Sequence, residues 1–263
     1  MKLLSLVSAL ALLVAPLTAQ ELQKAFVTAE HVKQALAAEE KLAASYDVPP
    51  PAGEPWFRLL PGNARVLVVA GHATAQTREG NRKPADAGTG SLAFLLNRLA
   101  GTPVLQSTWM SPSDSNYYDD NGFKEELARQ ISTNKPVLVL DLHASQSGRP
   151  YDVDFGTMDG KSLLGHPDLL QALSRLLRNE GMVNQSLDFF AAAKQATVTK
   201  WVSGRGVPCI QLEVSTTCLP SPKDPLANHR FAQLLQGLVR FIRSVDPAAR
   251  PLEAPGPQRP DQP

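Results

Sequence analysis

Apolar positions along the chain fall into two spacings. Unbroken short runs stand in ARVLVVAG, PVLQSTW, PVLVLDLH and PCIQLEV, each bounded by Gly, Pro or polar residues, and these predict buried strands. Between them, residues 90–99, 123–133, 167–179 and 229–245 carry the spacing of helices. Continuous apolar strands separated by helices predict an α/β fold, with a mostly parallel central sheet and helices on both faces.

The flanks have other patterns. Residues 21–48 are polar and Ala-rich, with good helix formers and neither Gly nor Pro, so they predict an N-terminal helix. VPPPAGEP follows as a stiff linker, and the Pro-rich run from Asp246 predicts a disordered tail over 246–263. The compact domain is expected over 56–245, with 20–55 as helix and linker and no internal repeat. Before these, MKLLSLVSALALLVAPLTAQ has a basic start, an apolar centre and a small-residue site near Ala19. That order predicts a signal peptide over 1–19 and a secreted or periplasmic protein. The apolar run is shorter than the about 20 residues of a membrane span, and no Cys follows it to carry a lipid, so no stable membrane anchor is expected.

Composition narrows the partners. With 43% hydrophobic and 19% charged residues, the chain is neither a disordered polymer nor a membrane channel. A net charge of +1 and the lack of a long basic run give no reason to expect nucleic acid. Two cysteines, Cys209 and Cys218, leave a disulfide and two free thiols equally open; their spacing is not that of zinc ligands.

Candidate chemistry gathers at strand ends. The first strand leads into His72, the third into Asp141 and His143, and the last carries Glu213. Sites in open parallel sheets lie outside the carboxyl ends of the strands, so these residues are expected to share one rim. Two neutral imidazoles and a carboxylate suit Zn²⁺ with a position left for water, and Glu213 on the polar side of its strand suits proton transfer. His31, His166 and His229 fall on the N-terminal helix, in a loop and at the start of the last helix, away from that rim. The small residues of DAGTGSLAFLL open a helix whose free N–H groups either meet an anion or are simply capped.

The stretches GHATAQTREGNRKPADAGTGSLAFLL, SPSDSNYYDDN, VLVLDLHAS, YDVDFGTMDGKSLLG and CIQLEV together resemble the N-formylglutamate amidohydrolase family, within the zinc carboxypeptidase-like group. The resemblance spans residues 66–219. It implies the phosphorylase/hydrolase-like form of the α/β fold and a zinc-dependent hydrolase of amide bonds. By the same resemblance His72 and His143 are metal ligands and Glu213 is the general base. The wider group commonly has His and Glu three apart, but Ala75 stands there in this chain. The carboxylate ligand is expected to be Glu79, the nearest on the loop, with Asp86 as the alternative. Arg149 and Asn116 are expected to bind substrate.

The leading reading is therefore a secreted zinc amidohydrolase acting on an N-acyl amino acid or a peptide. A carboxypeptidase, a cell-wall peptide amidase and a non-catalytic binding protein on the same fold are the alternatives. A serine hydrolase finds no G-x-S-x-G elbow.

Overall fold

A computed structural model describes residues 25–252, and the expected signal peptide lies outside that range. The apolar runs form β2 (Val66–Ala70), β5 (Val104–Ser107), β6 (Leu138–Ser145) and β9 (Cys209–Ser215) of a seven-stranded sheet. Its order is β1-β5-β2-β6-β9-β7-β8, where β1 is Phe57–Leu60, β7 is Val153–Gly156 and β8 is Gln185–Leu187. The central four are mutually parallel; β1 runs antiparallel to β5, and β7 antiparallel to β9. Every residue of β2 is buried, as a strand covered on both faces requires.

Helices α2 (Thr89–Ala100), α4 (Pro167–Asn179) and α6 (Pro225–Val245) cover one face, burying Leu92, Leu95, Leu173, Phe231 and Leu235 against Val66, Val68, Leu140 and Ile210. On the other face, α3 (Gly122–Asn134) and α5 (Val198–Ser203) bring Phe123, Leu127, Val198 and Trp201 onto Leu67, Val69 and Val139. The α/β architecture is as the apolar spacing predicts.

The chain passes from β2 to β5 on one side and returns to β6 on the other. The strand order therefore reverses between β2 and β6, and a crevice opens there at their carboxyl ends. Two further strands, β3 (Gln76–Arg78) and β4 (Asn81–Lys83), make a separate hairpin just beyond β2.

The flanks are less detached than their composition suggests. Helix α1 (Ala29–Ala43) packs on the domain through Val32 and Leu42, while the Phe26 N–H donates to Gln236 on α6 at 2.9 Å. After it, Ala75 donates to the Tyr46 carbonyl and Met110 to that of Val48, at 3.0 and 2.9 Å. At the other end the chain is held through Leu252: Asp246 accepts the Arg65 N–H at 2.6 Å, Ala249 is buried, and the Leu252 N–H donates to the Arg98 carbonyl at 3.1 Å. The expected disordered tail thus begins with an ordered return along the domain, and its remainder lies outside the described residues.

A candidate metal centre at the switch point

Strand β2 ends at Ala70, and Gly71 turns the chain so that His72 lies on the rim of the crevice. The turn is tightly packed. A Cβ on Gly71 would stand 2.4 Å from the Ser115 hydroxyl oxygen, so a larger residue there would require that side chain to rotate away. That close approach brings the 111–118 loop against the strand end, with Asp114 beside His72. From the other side of the crevice, β6 delivers Asp141 and His143 two positions apart, so both project from one face.

Asp86 closes the arrangement. Its Oδ2 lies 3.0 Å from Nδ1 of His143 and 3.5 Å from Nδ1 of His72. The rings meet edge to face with centroids 4.8 Å apart. Ligand atoms from His72, Asp86 and His143 all fall within 4.8 Å of one another. The loop holding Asp86 is itself fixed, because the Asp86 N–H donates to the His72 carbonyl at 2.8 Å, and the Asp86 carbonyl accepts from Thr89.

The outward nitrogens of both rings are also occupied. His72 Nε2 lies 2.8 Å from Asp114 Oδ1, and Asp114 is in turn held by Arg78, whose Nε donates to Oδ2 at 2.8 Å. Asn116 Nδ2 donates to His143 Nε2 at 2.8 Å, directing the His143 Nδ1–H at Asp86. Asp141 Oδ1 stands 3.3 Å from the same Nε2 and is buried without a hydrogen-bond partner. It is the acceptor that a proton on Nε2 would find if Nδ1 gave its own up to a cation, an arrangement common behind metal-binding histidines.

These groups set one another's charge. Burial pulls the His72 pKa down, but the Asp114 and Asp86 carboxylates outweigh it and raise it to about 9. Burial likewise opposes protonation of His143, yet Asp141, Asp86 and Glu213 hold its pKa well above the ordinary value. Asp86 moves the other way: burial would raise its pKa, and the two histidines bring it well below the usual carboxylate range. The site therefore gathers two strongly basic imidazoles around an anion, and a divalent cation bound there would compete with protons for the ring nitrogens.

Glu213 stands opposite His143 in the parallel register of β6 and β9 and opposite Asp154 on β7. Its Oε1 accepts from Gln211 Nε2 at 3.1 Å. Burial pushes its carboxyl up to about 7; Asp86 and Asp141 reinforce the rise and the histidines oppose it. A carboxyl poised there can hold or release a proton near neutrality.

The remaining expected residues are elsewhere. Glu79 sits at the tip of the β3–β4 hairpin with φ of 51°, where its carboxylate accepts from the Tyr117 hydroxyl. The hairpin carries it outward, so Asp86, the alternative, is the carboxylate that joins the histidines. Asn116 is committed on both sides of its amide, since Oδ1 accepts the Val198 N–H at 2.6 Å; it braces His143 rather than offering a free group to a substrate. Arg149 is exposed after β6, with its guanidinium over the Phe189 and Phe190 rings at 5.7 and 5.2 Å. The opening of α2 is met by the chain's own Glu39, whose Oε1 accepts the Gly88 N–H at 2.7 Å. His31, His166 and His229 are absent from the cluster, and Cys209 and Cys218 are free, buried thiols. Asp114, missed as a functional residue, lies within SPSDSNYYDDN; nothing in its spacing separates it from Asp119 or Asp120.

No protein-family model and no curated protein matches this chain. Solved structures similar to it include an N-formylglutamate amidohydrolase from Ralstonia eutropha, at 15% identity and TM-score 0.49, covering 72% of this chain and 98% of that one. A bacteriophage poly-gamma-glutamate hydrolase is similar at 15% identity and TM-score 0.49, covering 75% and 91%. A metallo-carboxypeptidase from Burkholderia cenocepacia is similar at 12% identity and TM-score 0.44, covering 76% and 60%. The first of them bears the name of the family that the motifs resemble.

Proposed function

We propose that this protein is a zinc-dependent hydrolase of amide bonds, acting on an N-acyl amino acid or a peptide. The observation that carries the reading is the meeting of two imidazole Nδ1 atoms and one carboxylate oxygen at the switch point, one residue pair away from a carboxyl poised near neutrality. His72, His143 and Asp86 would hold the metal through these atoms. The donor set suits zinc, and the orphaned Asp141 oxygen behind His143 supports the same assignment. Bound there, zinc would supply Lewis acidity, polarising the amide carbonyl and making water acidic enough to attack near neutral pH.

The protein's own groups do the rest. Asp114, clamped by Arg78, and Asn116, clamped by Val198, fix the two rings. Glu213 takes a proton from the attacking water at its carboxylate and returns it to the departing amine. The order of basic, apolar and small residues at the N-terminus supports export, and no described helix is long and apolar enough to cross a membrane.

Metal analysis joined to an amidase screen tests the proposal. About one zinc per chain is expected in the wild type, with loss of zinc and turnover together in His72→Ala and His143→Ala. Undiminished zinc in both variants would remove the site. In Glu213→Gln, zinc and folding should persist while turnover falls at least about 10²-fold; wild-type turnover in that variant would end its assignment as the base.

A further inference from the structure

A second cavity lies away from the metal centre, between α1, the start of α2, and the β1–β5 edge of the sheet. It is an open cleft of about 930 Å³, within the size range of small-molecule sites, and none of His72, Asp86, His143 or Glu213 lines it. Leu42, Phe94 and Trp109 give it apolar wall. Ser45 and Thr108 on its wall are hydrogen-bonded, but the side chains of Gln106 and of the cations are not, among the described residues.

Arg58 and Gln106 are paired residues of the antiparallel β1–β5 register, so their side chains share a face. Gln106 is 2% exposed, and its Oε1 is buried with no hydrogen-bond donor. Leaving such an acceptor unmet costs about 1–3 kcal/mol, so it is a place where a ligand gains by bringing an N–H or O–H. Arg58, Arg98 and Lys41 line the same cavity, and none makes an ion pair among the described residues. Glu54 is the one acidic residue on the wall. Burial alone lowers the Arg58 pKa, as expected of a guanidinium partly stripped of water without a counterion.

We propose that this cavity binds an amphiphilic organic anion carrying an amide N–H beside its carboxylate. The carboxylate meets Arg58 and Arg98, whose planar donor forks suit it better than an ammonium does. The N–H fills the vacancy at Gln106 Oε1. An apolar body of medium length lies along Phe94, Trp109 and Leu42.

N-octanoylglycine is a probe with all three features, and isothermal titration calorimetry on the whole chain measures its binding. Saturable binding is expected in His72→Ala, where the metal centre is disabled and cannot cleave the probe, so the heat reports this cavity alone; the comparisons below are made in that background. Joint Arg58→Ala and Arg98→Ala substitution should weaken binding at least about tenfold, the scale of one charged hydrogen bond. In Gln106→Leu, the advantage of N-octanoylglycine over decanoate should vanish while decanoate binds as before. The methyl ester of the probe, lacking the charge, should bind at least about tenfold more weakly to His72→Ala; this comparison decides the matter even if adding the two arginine substitutions prevents folding. No saturation up to about 1 mM, the weak end of measurable affinity, equal binding of the ester, or equal affinity in a folded variant carrying both arginine substitutions would each overturn the proposal.

Discussion

One oxygen of Asp86 serves both imidazoles, and no other carboxylate of the 72–86 loop reaches them. Asp86→Asn is therefore expected to abolish or sharply weaken zinc binding, whereas Glu79→Gln should leave it near wild type, as read by plasma spectrometry on dialysed protein. Loss in the second and retention in the first would return the ligand to the hairpin. The sequence made His72, His143 and Glu213 legible because each is tied to a strand end. It left the carboxylate ambiguous because distance along a loop is a poor guide once a hairpin forms within it. Glu213 also permits a test by titration in chelator-treated protein. Its folded pKa of about 7 lies above the ordinary 4.5, so the folded state keeps its proton longer, and stability falls as pH rises between those values. Glu213→Gln removes that loss. The Tm of the variant, minus that of wild type, should grow from about pH 4 to about pH 8; a flat difference would mean the carboxyl is not strained by its surroundings.

At the scale of elements, α1 matters beyond its own packing. Glu39 accepts from Gly88, two residues after Asp86, and also from the Tyr46 hydroxyl, whose pKa burial and this carboxylate push up. Gly88 itself is held at φ of 91°, and a Cβ there would approach Leu219 to 2.8 Å. The helix thus pins the loop that presents Asp86. Glu39→Gln should lower zinc affinity by about 10–100-fold, the cost usual for groups that orient ligands, in a competition titration with far-ultraviolet circular dichroism unchanged. Unaltered affinity would reduce α1 to a packing element. None of this coupling could be read from the sequence, where VPPPAGEP looked like a spacer separating the helix from the domain. The four parallel strands were legible because burial on both faces leaves an unbroken apolar run. Strands β1, β7 and β8 and the β3–β4 hairpin were not, since each is short and takes its place from its neighbours rather than from its own pattern.

For the whole molecule, the proposed metal would compete with protons for one centre. The folded pKa of His72 is about 9, above its ordinary 6.5. Its contribution to the stability of the metal-free protein is complete below pH 6.5 and disappears as pH rises through about 9. Zinc bound as proposed would have to displace such protons, so its binding should tighten over the same interval. The Tm gained on adding zinc should therefore widen from about pH 6 to about pH 9 in differential scanning fluorimetry, with a constant gain counting against binding through these rings. The two thiols add a different kind of consequence. Cys209 forms part of the floor strand beneath Asp141, Cys218 lies in the turn packed under α6, and both are fully covered. Because no bond joins them, the fold owes nothing to an oxidant, and each sulfur is a silent clock. A bulky thiol reagent can tick only when its own neighbourhood opens, so paired labelling rates would time the breathing of the sheet beneath the crevice separately from that of the helix layer.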